Sequence, residues 1–271
     1  MKYKIYMQTK KSWDPFHEVN EDSYMFTEYS FMEDKKIRVM VVADGMGGYE
    51  DGEKASANAV QGFLKAFYEK MLDMYMNHGN VEKFSATYFA DRMIDLIKEA
   101  ICAANREVCE KAERFKKTGT TLSVVCVLEG YAVVANVGDS PVYFYRSNED
   151  CFKLVSTLQT QAEKEVEEGR YERYSPEYYA NEHRIYNCIG LYEELDKQKI
   201  CSYVIGQLEK GDMFLAGSDG AFGRMRDEEI KELLTNCSED ERDFVLTRLF
   251  SEARIDKYDD QTAFLYVITE E

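Results

Sequence analysis

The sequence predicts an α+β protein in which antiparallel β-sheets stack face to face with helices outside. Three observations carry that expectation. Two long amphipathic helical stretches come early, a block of short β-rich runs joined by tight turns fills the middle, and two shorter helices precede a last strand. The regular βα alternation of a doubly wound parallel sheet is missing.

Taken in order, Lys2–Met7 and Ser23–Ser30 have strand-like content. Lys36–Ala43 contains Val39-Met40-Val41-Val42-Ala43, a short branched apolar run that reads as a buried strand. Glu53–Met76 places Val60, Phe63, Leu64, Phe67, Met71 and Met74 at helical spacing. Phe84–Lys117 repeats the pattern with Phe89, Met93, Leu96, Ile97, Ala100 and Ala104. Thr120–Leu128, Tyr131–Val137 and Val142–Tyr145 are β-rich, with Glu129-Gly130 as a hairpin turn between the first two. Cys151–Val155 adds a further strand. Thr160–Glu182 starts as a helix ending near Gly169 and becomes a tyrosine-rich surface excursion. Cys201–Ile205 and Met213–Ala216 return to strand, Asp227–Leu234 and Glu239–Ala253 read as helices, and Thr262–Ile268 is the last strand. Ser238 and Glu241 form a capping box for the second of these helices.

The 271 residues suffice to bury a core, and three prolines leave no room for a long linker, so residues 1–271 are expected to form one domain. The formal charge of −17 argues against nucleic acid and anionic membranes, both of which need a basic surface. Most of that acidity is solvated surface. The seven cysteines form no C-x-x-C pair and the three histidines lie far apart, which argues against a thiolate zinc site. Cys126, inside an apolar run, reads as a small core residue. The odd, scattered cysteine set, the absence of a signal-peptide pattern and the lack of a membrane-length apolar run suggest a cytoplasmic protein; a monomer is expected.

Five short motifs stand where strands should end: Asn20-Glu21-Asp22, Asp44-Gly45-Met46-Gly47-Gly48, Gly138-Asp139-Ser140, Ser218-Asp219-Gly220 and Asp259-Asp260-Gln261-Thr262. The glycine run is not a nucleotide loop. Glu50 stands where a Rossmann fingerprint needs glycine, and no Gly-Lys-Ser/Thr follows. Any one Asp-Gly pair is more simply a turn. As a set, carboxylates at several strand ends would repel one another unless cations lay between them. Carboxylate and carbonyl ligands select Mg²⁺ or Mn²⁺ over zinc. Two such ions can acidify a bridging water and neutralise a phosphoryl group, which is phosphate-ester hydrolysis without a covalent intermediate.

In this order, with Thr118-Gly119-Thr120-Thr121 and Lys210-Gly211-Asp212-Met213-Phe214-Leu215 between them, the motifs resemble those of the PPM family of metal-dependent protein phosphatases, similar to protein phosphatase 2C. The resemblance runs from about His17 to Ile268. It implies a four-layer αββα sandwich, two metal ions with a weaker third position, and a phosphorylated protein, the target of a serine/threonine kinase, as substrate. The matching positions make Asp44 the bridge between the metals, Asp219 and Asp259 ligands of one ion, and Glu21 and the Gly45 carbonyl ligands of the other. Asp22 would hold metal-bound water, and Asp139 with Asp219 would form the third position. Of Asp259 and Asp260, the first is favoured as ligand. The excursion at about 157–187 matches the family's variable flap, where tyrosines serve as amphipathic cover or shape partner choice.

Two departures stand out. His17 occupies the place of the family's phosphate-binding arginine. It is either a plain loop residue or a weaker phosphate contact that fades as pH rises, with Arg184 or Lys11 as other sources of charge. Met46 replaces the histidine of many eukaryotic members, as in bacterial ones, and cannot transfer a proton. The main reading is a Mg²⁺/Mn²⁺-dependent hydrolase of phosphoserine and phosphothreonine in proteins, using direct attack by a metal-bridging water. Two others stay open: a catalytically weak metal-binding interaction protein on the same fold, and a phosphatase for small metabolites.

Overall fold

A computed structural model describes residues 1–30, 36–46, 51–77, 86–112, 118–128, 130–253 and 259–270. Gly47, Gly48 and Glu50, the expected ends of the second helix at 84–85 and 113–117, and Glu129 lie outside the described residues.

In chain order the strands are β1 (Lys2–Lys10), β2 (Asp22–Ser30), β3 (Lys36–Asp44), β4 (Leu122–Leu128), β5 (Tyr131–Val137), β6 (Val142–Arg146), β7 (Cys151–Leu154), β8 (Cys201–Ile205), β9 (Met213–Gly217) and β10 (Gln261–Glu270). They form two five-stranded sheets, ordered β2-β3-β4-β5-β8 and β1-β10-β9-β6-β7. Every pairing between them is antiparallel. The helices are α1 (Gly52–Asn77), α2 (Ala86–Lys111), α3 (Gln161–Glu167), α4 (Pro176–Asn181), α5 (Asp219–Phe222), α6 (Asp227–Thr235) and α7 (Val245–Glu252).

The apolar run of β3 is continuous because both faces of that strand are covered. Ile37, Val39, Val41 and Ala43 pack under α1 and α2, while Met40 and Val42 point into the space between the sheets. Strand β10 divides its side chains in the same way. Ala263, Leu265 and Val267 face α5 to α7, and Phe264, Tyr266 and Ile268 meet Phe214 and Val134 between the sheets. Three apolar clusters therefore separate four layers, in the order helix, sheet, sheet, helix. In α1, Val60, Phe63, Phe67 and Met71 are buried with Leu64 and Met74 packed against them, and in α2 Met93, Leu96, Ile97, Ala100 and Ala104 are buried. Cys126 lies in the core, where burial pushes its thiol up to about 12.

Two segments fold differently from the expectation. Residues Glu239–Phe244 form a 3-10 helix, and α-helix begins only at Val245. The first six residues bury nothing, whereas Val245, Leu246, Leu249 and Phe250 supply an apolar stripe, so tertiary packing sets where the α-helix starts. Glu241 still accepts from the Ser238 backbone N–H, at 2.9 Å. The tyrosine-rich excursion also contains α4, with Ser175 capping the Tyr178 N–H and Pro176 in the first turn. No described helix is long and apolar enough to cross a membrane.

Candidate active site

Antiparallel pairing collects the five motifs at one edge of the sandwich. Asp22 opens β2 and Asp44 closes β3, and the two are direct register partners. Asp219 follows β9 and Asp259 precedes β10, strands that pair through Ala263 and Gly217. Asp139 follows β5, after Gly138 with φ +96°. The Thr118–Thr121 motif grips the Asp44 backbone. Thr121 Oγ1 accepts from the Asp44 N–H at 2.9 Å, and Thr120 Oγ1 donates to its carbonyl at 2.8 Å. Ser218 ties the sheets together, its hydroxyl donating to Asp22 Oδ2 at 2.7 Å and accepting from the Thr262 N–H at 3.0 Å.

The electrostatics are those of crowded carboxylates. Asp44 is held well above the usual carboxylate range, first by burial and then by the charges of Asp22, Asp219, Asp259 and Asp139. Asp22 is pushed up to about 8, mainly by burial, against hydrogen bonds from Thr262 and Ser218 that favour its charged form. One of its oxygens, Oδ1, is buried with no hydrogen-bond partner. Burial also raises Glu21, with Asp260, Glu53 and Asp259 adding to the rise and His17 opposing it. Among the described residues, no three His, Cys, Asp or Glu side chains meet at coordinating distance. The carboxylates share one region without closing on a point, as mutually repelling charges do. An orphaned buried oxygen beside several raised carboxylates fits a hard divalent cation.

Asp260 does a different job from Asp259. Its carboxylate accepts from the Ser12 N–H at 2.7 Å, the Glu21 N–H at 2.6 Å and the His17 ring at 2.8 Å. It is 3% exposed and clasps the β1–β2 loop. Asp259, not Asp260, is among the four carboxylates that raise Asp44. Asp260→Ala strands two backbone donors, and is expected to cost about 3 kcal/mol of stability in a urea melt. A loss of a few tenths of a kcal/mol would show that the clasp is idle. His17 is thus a hydrogen-bond partner of Asp260 at the rim of the centre. Lys11 donates to the His17 carbonyl at 2.7 Å, and Arg184 reaches Asn181 at 3.3 Å.

Three glycines permit close approaches around the site. A Cβ on Gly45 would lie 2.3 Å from the Gly52 carbonyl oxygen, and one on Gly220 would lie 2.2 Å from that of Asp260. Gly52, at the head of α1, also makes room for the Glu21 carboxylate, since a Cβ there would stand 2.8 Å from Glu21 Oε1. Two tyrosines of the 157–187 segment help to fasten it. Tyr174 and Tyr143 both donate to Asp227 Oδ1, at 3.0 and 3.2 Å, and Tyr178 donates to Glu163 at 2.6 Å.

The match to known proteins agrees with this geometry. Residues 17–254 match the family model described as protein phosphatase 2C. The chain is 25% identical over 198 residues to the protein phosphatase PhpP of Streptococcus pneumoniae, covering 73% of each. The crystal structure of MsPP, a PPM Ser-Thr phosphatase from Mycobacterium smegmatis in complex with cacodylate, aligns over 98% of both chains with a TM-score of 0.68 at 24% identity. The catalytic domain of the serine/threonine protein phosphatase PstP, in complex with two manganese ions, aligns over 99% of both chains with a TM-score of 0.70 at 20% identity. The two structures bear on the fold alone. The chain belongs to the protein phosphatase 2C family. It is a metal-dependent serine/threonine protein phosphatase.

Proposed function

We propose that this phosphatase works with two Mg²⁺ or Mn²⁺ ions at the strand-end carboxylates. Asp44 would bridge them, Asp219 and Asp259 would serve one, and Glu21 with the Gly45 carbonyl would serve the other. Asp139 with Asp219 offers a third, weaker position. The observation that carries the reading is Asp44, a carboxylate that faces Asp22 across the β2–β3 ladder and is raised first by burial and then by four other carboxylates from the motif positions. The two manganese ions of PstP support it. When bound, the ions supply charge neutralisation for the phosphoryl group and a more acidic water.

The chain's own residues do the rest. Ser218 fixes one Asp22 oxygen, leaving the other to accept from and orient the attacking water. The Thr120 and Thr121 hydroxyls hold the Asp44 backbone against repulsion from its neighbours. His17 stands at the rim as a weaker phosphate contact, its ring shared with Asp260. The residues at about 157–187 act as a flap that shapes access for the phosphoprotein.

The test is turnover of phosphothreonyl and phosphoseryl peptides with Mg²⁺, with Mn²⁺ and in chelator. Turnover is expected with either ion and none in chelator. Full activity in chelator would overturn the reading.

A further inference from the structure

We propose that Trp13, Phe16 and Val19, on the loop between β1 and β2, form a docking plate for an apolar side chain that neighbours the phosphorylated residue of the substrate protein; this rests on the phosphatase reading above and deepens it. The three side chains are 65%, 92% and 48% exposed. Apolar residues scattered singly over a surface are ordinary, but a group of them on one firmly held loop marks a contact surface. The loop is fastened at both ends. The Ser12 and Glu21 N–H groups donate to Asp260 at 2.7 and 2.6 Å, and the Asn20 amide donates to Thr9 Oγ1 at 2.8 Å. Lys11 reaches across it to the His17 carbonyl at 2.7 Å. Asp14-Pro15-Phe16-His17 is a tight turn with proline in its second place, closed by the His17 N–H on the Asp14 carbonyl at 3.1 Å. The Asp14 carboxylate accepts from the Phe16 N–H at 2.9 Å. Lys10 lies over the Trp13 ring, 4.4 Å from its centroid. The backbone under the three side chains is therefore fixed, and among the described residues none of the three apolar clusters takes them in.

The place of the loop decides what covers it. Phe16 directly precedes His17, whose ring reaches Asp260 at 2.8 Å, and Asp260 is the chain neighbour of Asp259. Glu21, at the other end of the loop, is itself one of the proposed metal ligands. The plate thus borders the place where the proposed centre seats the phosphoryl group. A protein that brings its phosphothreonine there carries the flanking residues across the rim, since an extended chain advances only about 3.3 Å per residue. The occupant is therefore the substrate itself, through an apolar side chain within about three residues of the phosphothreonine. Selection of this kind suits a loop held on a rigid scaffold.

Trp13 is the one tryptophan of the sequence, so intrinsic fluorescence reports on the plate directly. The test titrates the Mg²⁺-loaded protein with peptides in which a non-hydrolysable phosphonate replaces the phosphate of phosphothreonine. Each carries leucine in place of serine at one of the flanking positions in turn. At one or more of these positions leucine is expected to shift the Trp13 emission to the blue and to tighten binding by about five- to tenfold over serine. The matching phosphothreonyl peptides should show the same ratio in kcat/KM. In Phe16→Ser, and in Phe16→Ser combined with Val19→Ser, both ratios are expected to fall to about twofold or less, with melting temperature unchanged. A wild type that gains nothing from leucine at any position would overturn the proposal, and so would a preference that survives in the double variant. An emission shift produced by raising the protein concentration alone would assign the plate to a second copy of this chain and overturn it as well. Because each ratio compares two peptides on one protein, a change in the metal centre cancels. The fluorescence does not depend on turnover, so failure of the phosphatase reading would appear separately, as a wild type that prefers the leucine peptide and hydrolyses none.

Discussion

Asp44→Asn is expected to lower kcat/KM for a phosphothreonyl peptide by about a thousandfold or more in Mn²⁺, a loss of ~4 kcal/mol in transition-state stabilisation. Among the described residues, Asp44 stands where several of the motif carboxylates converge. It closes β3, faces Asp22 across the ladder, and is raised by the charges of four other carboxylates. Asparagine keeps its size and removes the charge that the two proposed cations would share. Calorimetric titration should show weaker Mn²⁺ binding in the same variant. Its melting temperature in chelator should not fall, because an amide is cheaper to bury than an unpaired carboxylate. Turnover within tenfold of wild type would remove Asp44 from the centre of the site.

Asp22→Asn should separate stability from catalysis. The folded-state value of Asp22 is raised from 3.8 to about 8 in the metal-free protein. A group raised on folding contributes fully below its unfolded value, and that contribution is lost as pH rises through the folded one. In chelator, the stability of Asp22→Asn minus that of wild type is therefore expected to be near zero at pH 4. It should grow to a few kcal/mol, on the order of 5–10 °C in melting temperature, by pH 8. Mn²⁺ should reverse the sign, since a bound cation stabilises the native state by mass action and the wild-type carboxylate favours it more. A difference that stays flat from pH 4 to pH 8 in chelator would mean that Asp22 is not buried as a strained charge.

Much of the fold was legible because patterning is local. The apolar run of β3 and the helical spacing in α1 and α2 need only neighbouring residues to be read. The motif carboxylates were legible as a set because acidic residues at strand ends have few reasons to recur in a fixed order. What could not be read was set by distance in the chain. Nothing near Asp22 announces that Asp44 will be its register partner, since that depends on the pairing of β2 with β3. Asp259 and Asp260 are identical in composition, and only the clasp on Ser12, His17 and Glu21 tells them apart. The one-turn helix α5 has no side-chain cap bond from Ser218, whose hydroxyl is engaged by Asp22 and Thr262, and it is too short for any periodicity. In the tyrosine-rich segment, Ser175-Pro176 was a usable start signal for α4. The fastening of the segment through Asp227 and Glu163 has no such signal.

Strand β10 lies between β1 and β9, pairing with β1 from Lys2 to Lys10. It is also the strand that follows Asp259 and Asp260. During synthesis, a chain from which β10 has not yet emerged has no partner for β1 along that edge, no clasp on the β1–β2 loop and only part of its carboxylates. If the proposed metal positions hold, such a nascent chain is expected to show no turnover while it waits on the ribosome. The same adjacency suits a reporter: halves divided before β10 should stay silent apart and regain turnover only when a fused pair of binding modules brings the missing strand back.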